Sequence, residues 1–337
     1  MMNETACVVG IDITKRKFDI ALLINNKIRT KVFDNTPAGY QAFTDWLSER
    51  GAIPEQTHLC MEATGPYSET LATNLVAKGW RVSVVNPACI KGFAQSELAR
   101  NKTDRADAVL LARFCAAMHP GLWTPPPVAW RELRGWVDRL QALKEMHQQE
   151  SNRIEAHLAS GQIHLVQDVQ IHLDWLNKQI KELEHRINDH IDRHPDLKRD
   201  AELLRSIPGI GDITVAKVLA YAGDVRRFTN AKALAAFVGV TPRQRISGSS
   251  VKGRTMMSRT GYNELRRALY MPGLVARHHN PVLKTFGDRL STAGLAPKAI
   301  VGAVMRKLTH LICGVIKSGQ PFDANFKHSA LAIQDGI

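Results

Sequence analysis

The 337 residues are 44% hydrophobic and 23% charged, an ordinary balance for a globular chain, and they suffice for two domains or one domain with a long appendage. The net charge of +13 is uneven: residues 201–337 hold 20 Lys and Arg against 7 Asp and Glu, whereas residues 1–200 are close to neutral, a skew that points to a polyanion such as nucleic acid rather than to a merely solubilising surface. No apolar run reaches the roughly 18 residues of a membrane span, and the start MMNETACVVGID carries an acid and no basic run, unlike a signal peptide, so a cytoplasmic protein without a membrane partner is expected.

In chain order, ACVVGIDI, FDIALLIN and IRTKVFD are β-branched strand candidates, with NNK as a turn between the second and third. TPAGYQAFTDWLSERG opens on Thr36 and Pro37, an N-cap and first-turn pair, and closes on Gly51, as a helix does. THLCMEAT reads as a strand, SETLATNLVAKG as a helix, RVSVVNP as a strand and TDRADAVLLARFCAAM as a helix. Three adjacent strands followed by helix, strand, helix, strand and helix is the order of a ribonuclease-H-like α/β layer. WTPPPVAW marks a proline-rich boundary, giving a first domain over 1–128.

Residues 129–200 read as two long helices broken at SGQ and ended by His194-Pro195. Their apolar spacing fits an antiparallel pair or an oligomerising coiled coil, here a helical linker. Seven histidines in this region show no repeated ligand spacing and read as surface residues. The five cysteines, Cys7, Cys60, Cys89, Cys115 and Cys313, are scattered without a C-x-x-C pair, which speaks for reduced, buried thiols rather than disulfides or structural zinc. Residues 201–337 form a basic, mainly helical domain, with loop-like TPRQRISGSSVKGRTMMSRTG in its middle.

Four acids stand out. Asp12 sits at the end of an apolar strand and Glu62 near the end of another, where a carboxylate is costly unless bonded or ligated. Asp104 and Asp107 stand three residues apart at a helix start, so they share a face. Each has an ordinary explanation alone: the helix dipole favours acids in a first turn, Asp12 can cap a turn, and Glu62 can pair with a lysine. Taken together in a ribonuclease-H-like strand order, they would form an all-oxygen site suited to Mg²⁺ or Mn²⁺, the arrangement used for phosphodiester chemistry.

GIDITKRKFDIAL, MEATGPY, VVNPACIKGFAQSELARNKTDRADAVLLARF, IPGIG, FVGVTPRQRISGSSVKG and LRRALYMP occur in that order across nearly the whole chain. Together they resemble the DEDD transposases of bacterial insertion sequences, a family related to the Piv-type DNA invertases, whose better-studied members are guided by a bridge RNA. The resemblance implies a RuvC-like N-terminal domain with the metal-binding, catalytic set Asp12, Glu62, Asp104 and Asp107, and a transposase domain over 201–337. It implies donor and target DNA as partners, a bridge RNA and a homo-oligomer, dimer or tetramer.

From its residues, RQRISGSSVKGR is a glycine-flanked basic loop in which Arg243, Arg245, Lys252 and Arg254 surround three serines; a phosphate-binding loop without covalent chemistry is the plainer reading. The resemblance instead assigns its first serine, Ser247, as the nucleophile that forms a covalent ester with DNA, in an active site assembled between subunits. IPGIG reads equally well as a helix-hairpin-helix turn exposing amides at Gly209 and Gly211 to phosphates, or as a tight structural turn. Arg266 and Arg267, with Arg226, Arg227, Arg306 and Lys307, are candidate phosphate contacts that would make binding salt-sensitive. The leading expectation is a DNA transposase or recombinase; the alternatives are a RuvC-like endonuclease using water and a non-catalytic nucleic-acid scaffold.

Overall fold

The computed structural model describes residues 7–98, 103–244, 246–247, 251–252 and 255–326, with backbone alone at 246–247 and 251–252. It divides into two compact units, Met1–Pro125 and Pro126–Ile337.

In the first unit, β1 (Cys7–Ile13), β2 (Lys17–Ile24) and β3 (Lys27–Asp34) precede α1 (Pro37–Ser48), β4 (Thr57–Glu62), α2 (Pro66–Ala77), β5 (Arg81–Val85), α3 (Pro87–Ser96) and α4 (Asp104–Met118). The five strands form a sheet in the order β3-β2-β1-β4-β5. The β1–β2 and β2–β3 pairs are antiparallel, and β4 and β5 add parallel to β1. Asn25 and Asn26 close the β2–β3 hairpin with φ of 50° and 59°, a left-handed turn that asparagine tolerates. Helix α1 starts as the sequence predicts: the Thr36 side chain accepts from the Gly39 amide and Pro37 stands in the first turn.

Strand alternation divides this unit into two layers. Val9, Ile11, Phe18, Ile20, Leu59 and Met61 join Phe43 and Leu47 of α1 and Leu71 and Leu75 of α2 in one core. On the other face, Val8 and Cys60 meet Leu111, Phe114 and Cys115 of α4, and Ala21 meets Ala108 and Ala112. The close approach of α4 depends on Gly10: a Cβ there would lie 2.1 Å from the Ala108 oxygen and 2.2 Å from the Ala112 nitrogen. The chain leaves this unit along β5, where the Trp123 amide bonds to the Val82 carbonyl.

In the second unit, α5 (Val128–Ala159) and α6 (Ile163–Arg193) form an antiparallel pair turned at Gly161, whose φ is 73°. They are followed by α7 (Pro195–Arg205), α8 (Asp212–Ala222), a 3₁₀ turn (Val225–Arg227) and α9 (Ala231–Val238). Two ladders follow, β6 (Pro242–Arg243) with β9 (Met256–Met257) and β7 (Ile246–Ser247) with β8 (Val251–Lys252). These short strands stand where the sequence suggested a loop with strand signal only near RQRIS. Helices α10 (Asn263–Ala268), α11 (Tyr270–His279), α12 (Pro281–Thr292) and α13 (Pro297–Ser318) complete the unit.

Leu133, Leu140, Leu176 and Ile187 of the long pair share one core with Leu204, Leu219, Val304 and Leu308. The sequence separates 129–200 from 201–337 by charge and helix spacing, but apolar burial runs through both segments. Helix α13 is long and apolar enough to cross a membrane by length and composition. In the sequence Arg306 and Lys307 interrupt its apolar run and mask that length. Here Ile300, Val304, Leu308 and Ile312 are buried in the shared core. Of the cysteines, Cys60, Cys115 and Cys313 are buried as expected, whereas Cys7 is half-buried and Cys89, in the first turn of α3, is exposed.

Candidate metal centre

Gly10 faces α4, so Asp12, two residues on, faces the same side of the sheet. Its antiparallel neighbour is Asp19 on β2. On its other side Ile11 pairs with Met61, which sets Glu62 beside Asp12 at the C-terminal ends of two parallel strands. Cys60 packs on α4, so Glu62 lies on that face as well. Helix α4 brings the remaining pair: Thr103 caps it by accepting from the Ala106 amide, and Asp104 and Asp107 fall in its first turn.

The electrostatics are those of a crowded anionic site. Burial, and then the charges of Asp107, Asp104, Asp19 and Glu62, push the Asp12 carboxyl from its ordinary 3.8 up to about 6. The charges of the other three sequence-predicted acids thus all bear on Asp12. Lys17 supplies a compensating charge, its Nζ donating to Asp104 Oδ2 at 2.9 Å and to Asp19 Oδ2 at 3.1 Å. That bond holds the Asp104 carboxyl below the usual carboxylate range.

Sequence reasoning missed Asp19 and Lys17. Asp19 is only 7% exposed, an unusual burial for an acid. The signal was the period-two pattern of Lys17, Asp19 and Ala21, which places all three on the face opposite Phe18 and Ile20.

The remaining predicted residues belong to the second unit. Ser247 ends β7, its backbone paired with Val251, and Lys252 pairs with Ile246. Arg243 is exposed on β6. Arg245 and Arg254 lie outside the described residues.

Gly209 has φ of 105°, and a Cβ there would strike Ala276 at 2.7 Å, so this glycine serves helix packing. Gly211 is exposed and precedes α8, with open space around its Cα. Asp212, in that first turn, pairs with Arg205 at 2.7 Å. Arg267 is exposed. Arg266 is partly engaged, donating to Asn263 Oδ1 at 2.6 Å and to the Val238 carbonyl at 3.3 Å.

Two of the other basic candidates have structural employment. Arg226 grips the buried Asp200 through two bonds of 2.8 and 2.7 Å. Arg227 stacks over Phe228 and Phe237 at 4.4 and 5.2 Å from the ring centres. Net charge locates a basic segment but does not say which cations are already paired.

A sheet carrying clustered acids, followed by a basic helical unit, suits an enzyme that acts on a polyanion. Residues 9–162 match the DEDD transposase family of IS110 elements, and residues 201–288 match the transposase IS116/IS110/IS902 family. The pilin gene-inverting protein of Moraxella bovis is 34% identical over 316 residues, covering 94% of this chain and 97% of that protein. Its counterpart from Moraxella lacunata shares the same identity and coverage. An uncharacterized 43.6 kDa protein of insertion element IS110 from Streptomyces coelicolor is 26% identical over 152 residues, 45% of this chain and 36% of that protein. The chain belongs to the IS110/IS116 family of DEDD transposases and DNA-inverting recombinases. It is accordingly a DNA transposase or recombinase, and DNA is its substrate.

Proposed function

We propose that this chain exchanges DNA strands through a covalent seryl–DNA ester, using a ribonuclease-H-like carboxylate centre that holds Mg²⁺ or Mn²⁺. The observation that carries the reading is the convergence of Asp12, Glu62, Asp104 and Asp107 on one sheet face under α4. The strand order β3-β2-β1-β4-β5, with the acids at strand ends and a helix start, supports the RuvC-like assignment. The donor set is all carboxylate oxygen, and its accumulated negative charge raises Asp12 and recruits Lys17, which suits a hard divalent cation. Asp12, Glu62, Asp104 and Asp107 would hold the ion, which when bound lowers the cost of charge on the attacking and leaving oxygens.

The Ser247 hydroxyl attacks the DNA phosphorus. The bond to the deoxyribose O3′ breaks, the serine proton passes to that oxygen, and a 3′-hydroxyl leaves as the ester forms. Attack by the 3′-hydroxyl of the partner strand reverses these changes, so the exchange conserves the phosphodiester and needs no nucleotide. Arg243, Arg245, Lys252 and Arg254 flank the serine and would neutralise the phosphate, while Arg267, Arg266 and the amide at Gly211 extend the contact along the backbone. The packing role of Gly209 leaves it a supporting part in that turn.

In this reading residues 1–128 carry the acids, 129–200 link and oligomerise, and 201–337 carry the serine. Ile171 and Trp175 on α6 and Leu158 on α5 are exposed and apolar, which supports assembly of copies through the helix pair. A homo-oligomer would let the serine of one subunit serve the acids of another. A bridge RNA would select donor and target, a role supported by the chain's family membership.

The test is trapping on a DNA substrate in Mg²⁺. Ser247→Ala is expected to abolish both the covalent adduct and cleavage, while Asp104→Ala abolishes cleavage without disturbing DNA binding. Full cleavage by Ser247→Ala with no adduct would replace this reading with a water-using endonuclease.

A further inference from the structure

The base of the α5–α6 pair brings together three metal-ligating side chains outside the carboxylate centre. The helices are antiparallel, so the first turns of α5 lie beside the last turns of α6. Glu132 comes from α5, and His190 and His194 come from α6 at i,i+4 spacing, which puts both rings on one helix face. One ligand atom from each lies within 4.8 Å of the others. Spacing alone makes these histidines surface residues, but the His190 side chain is only 12% exposed.

The hydrogen bonds fix which nitrogens are available. His190 Nε2 lies 2.9 Å from the Ala129 carbonyl, and His194 Nδ1 lies 2.7 Å from the His190 carbonyl. A carbonyl only accepts, so both of these nitrogens carry hydrogen. In the neutral rings the lone pairs are then on His190 Nδ1 and His194 Nε2. This is the outer-shell pattern that orients metal-binding imidazoles: one nitrogen donates to the backbone and the other is free to ligate.

His190 Nδ1 faces Glu132 Oε2 at 4.0 Å. That is too long for a hydrogen bond. It is close to the spacing of two ligands on one ion, since bonds of about 2.0–2.2 Å separate neighbouring donors by roughly 3–4 Å. The rings are 4.4 Å apart centre to centre. Glu132 is exposed and long enough to complete the approach by a rotamer change. The last turn of α6 also presents the negative end of its helix dipole, which favours a cation there.

We infer that Glu132, His190 and His194 form a binding site for a borderline divalent transition ion, best matched by Zn²⁺, which clamps the start of α5 to the end of α6. Two imidazoles and one carboxylate suit this class of ion, whereas the all-oxygen acid cluster of the first unit suits Mg²⁺. The fourth position is left for water. His194 also adjoins Pro195, the first residue of α7, so the ion would tie three helices at one junction.

The experiment uses the full chain, stripped with chelator and held in saturating Mg²⁺ so that the carboxylate centre is occupied. Zn²⁺ is titrated in competition with a chromogenic indicator, and Co²⁺ is added separately to read its visible absorption. The expected result is one tight Zn²⁺ per chain, a Co²⁺ spectrum of low coordination number with nitrogen ligands, and a raised melting temperature. His194→Gln and Glu132→Gln are expected to weaken Zn²⁺ at least tenfold while melting like the unaltered protein in chelator. Asp12→Asn keeps the Zn²⁺ site intact. Equal Zn²⁺ binding by His194→Gln and the unaltered protein would overturn the assignment, as would loss of the ion in Asp12→Asn or its absence from the unaltered chain in Mg²⁺.

Discussion

Asp12→Asn should stabilise the metal-free protein at neutral pH while removing its strand-cleaving activity. The folded state holds this carboxyl at about 6 against an ordinary 3.8, so ionising it costs the fold free energy. Each pKa unit corresponds to about 1.4 kcal/mol, and two units give about 3 kcal/mol if fully expressed. Asp12 is half-buried and water screens part of the repulsion, so about 1–2 kcal/mol is the expected gain. The sign follows from proton uptake: between roughly pH 4 and 6 the folded state binds more protons than the unfolded one, so stability falls as pH rises through that window. The asparagine variant lacks this loss. Urea denaturation in chelator should therefore find the two proteins alike near pH 4 and separated above pH 6. Mg²⁺ should recover the difference for the unaltered protein alone, because an ion that binds only the folded state stabilises it. A variant no more stable than the parent at pH 7.5, or a difference as large at pH 4 as at pH 7.5, would refute the account of the acid cluster.

Two further substitutions probe the frame around the centre and the second unit. Gly10→Ala places a Cβ 2.1 Å from the Ala108 oxygen and must push α4 off the sheet; a loss of about 1–3 kcal/mol is expected, with weaker divalent-ion binding because α4 carries Asp104 and Asp107. Denaturation and Mn²⁺ titration of this variant check both effects, and an unchanged midpoint with unchanged metal affinity would contradict the packing argument. Asp200→Ala removes the two short bonds from Arg226 to its buried partner and leaves the guanidinium only Asp224 at 3.3 Å, at a cost of about 2 kcal/mol in denaturation, with Asp200→Asn intermediate. Wild-type stability in Asp200→Ala would refute the structural role given to the Arg226–Asp200 pair.

The sequence alone carried the elements and the chemistry of the four acids. Strand and helix periodicity, Thr36-Pro37 at a helix start and Asn25-Asn26 at a hairpin are local signals, because propensity, capping and turn geometry act over a few residues. The acids were legible for the same reason: a carboxylate at the end of an apolar strand is costly, and two acids three apart on a helix share a face. Asp19 and Lys17 were not read as part of the centre, although their alternation was present, because their importance comes from a cross-strand pair and from an ammonium reaching a helix 87 residues away.

What only the tertiary structure decided is the partnership of groups distant in the chain. Charge could not reveal that Arg226 belongs to Asp200 or that Arg227 lies on two aromatic rings. Spacing could not reveal that Gly209 makes room for Ala276, or that His190 and His194 meet Glu132 across the base of a helix pair. The sequence fixes each residue's own preferences over a turn or two, whereas desolvation and repulsion depend on what folding packs against it, and those neighbours come from anywhere along the chain.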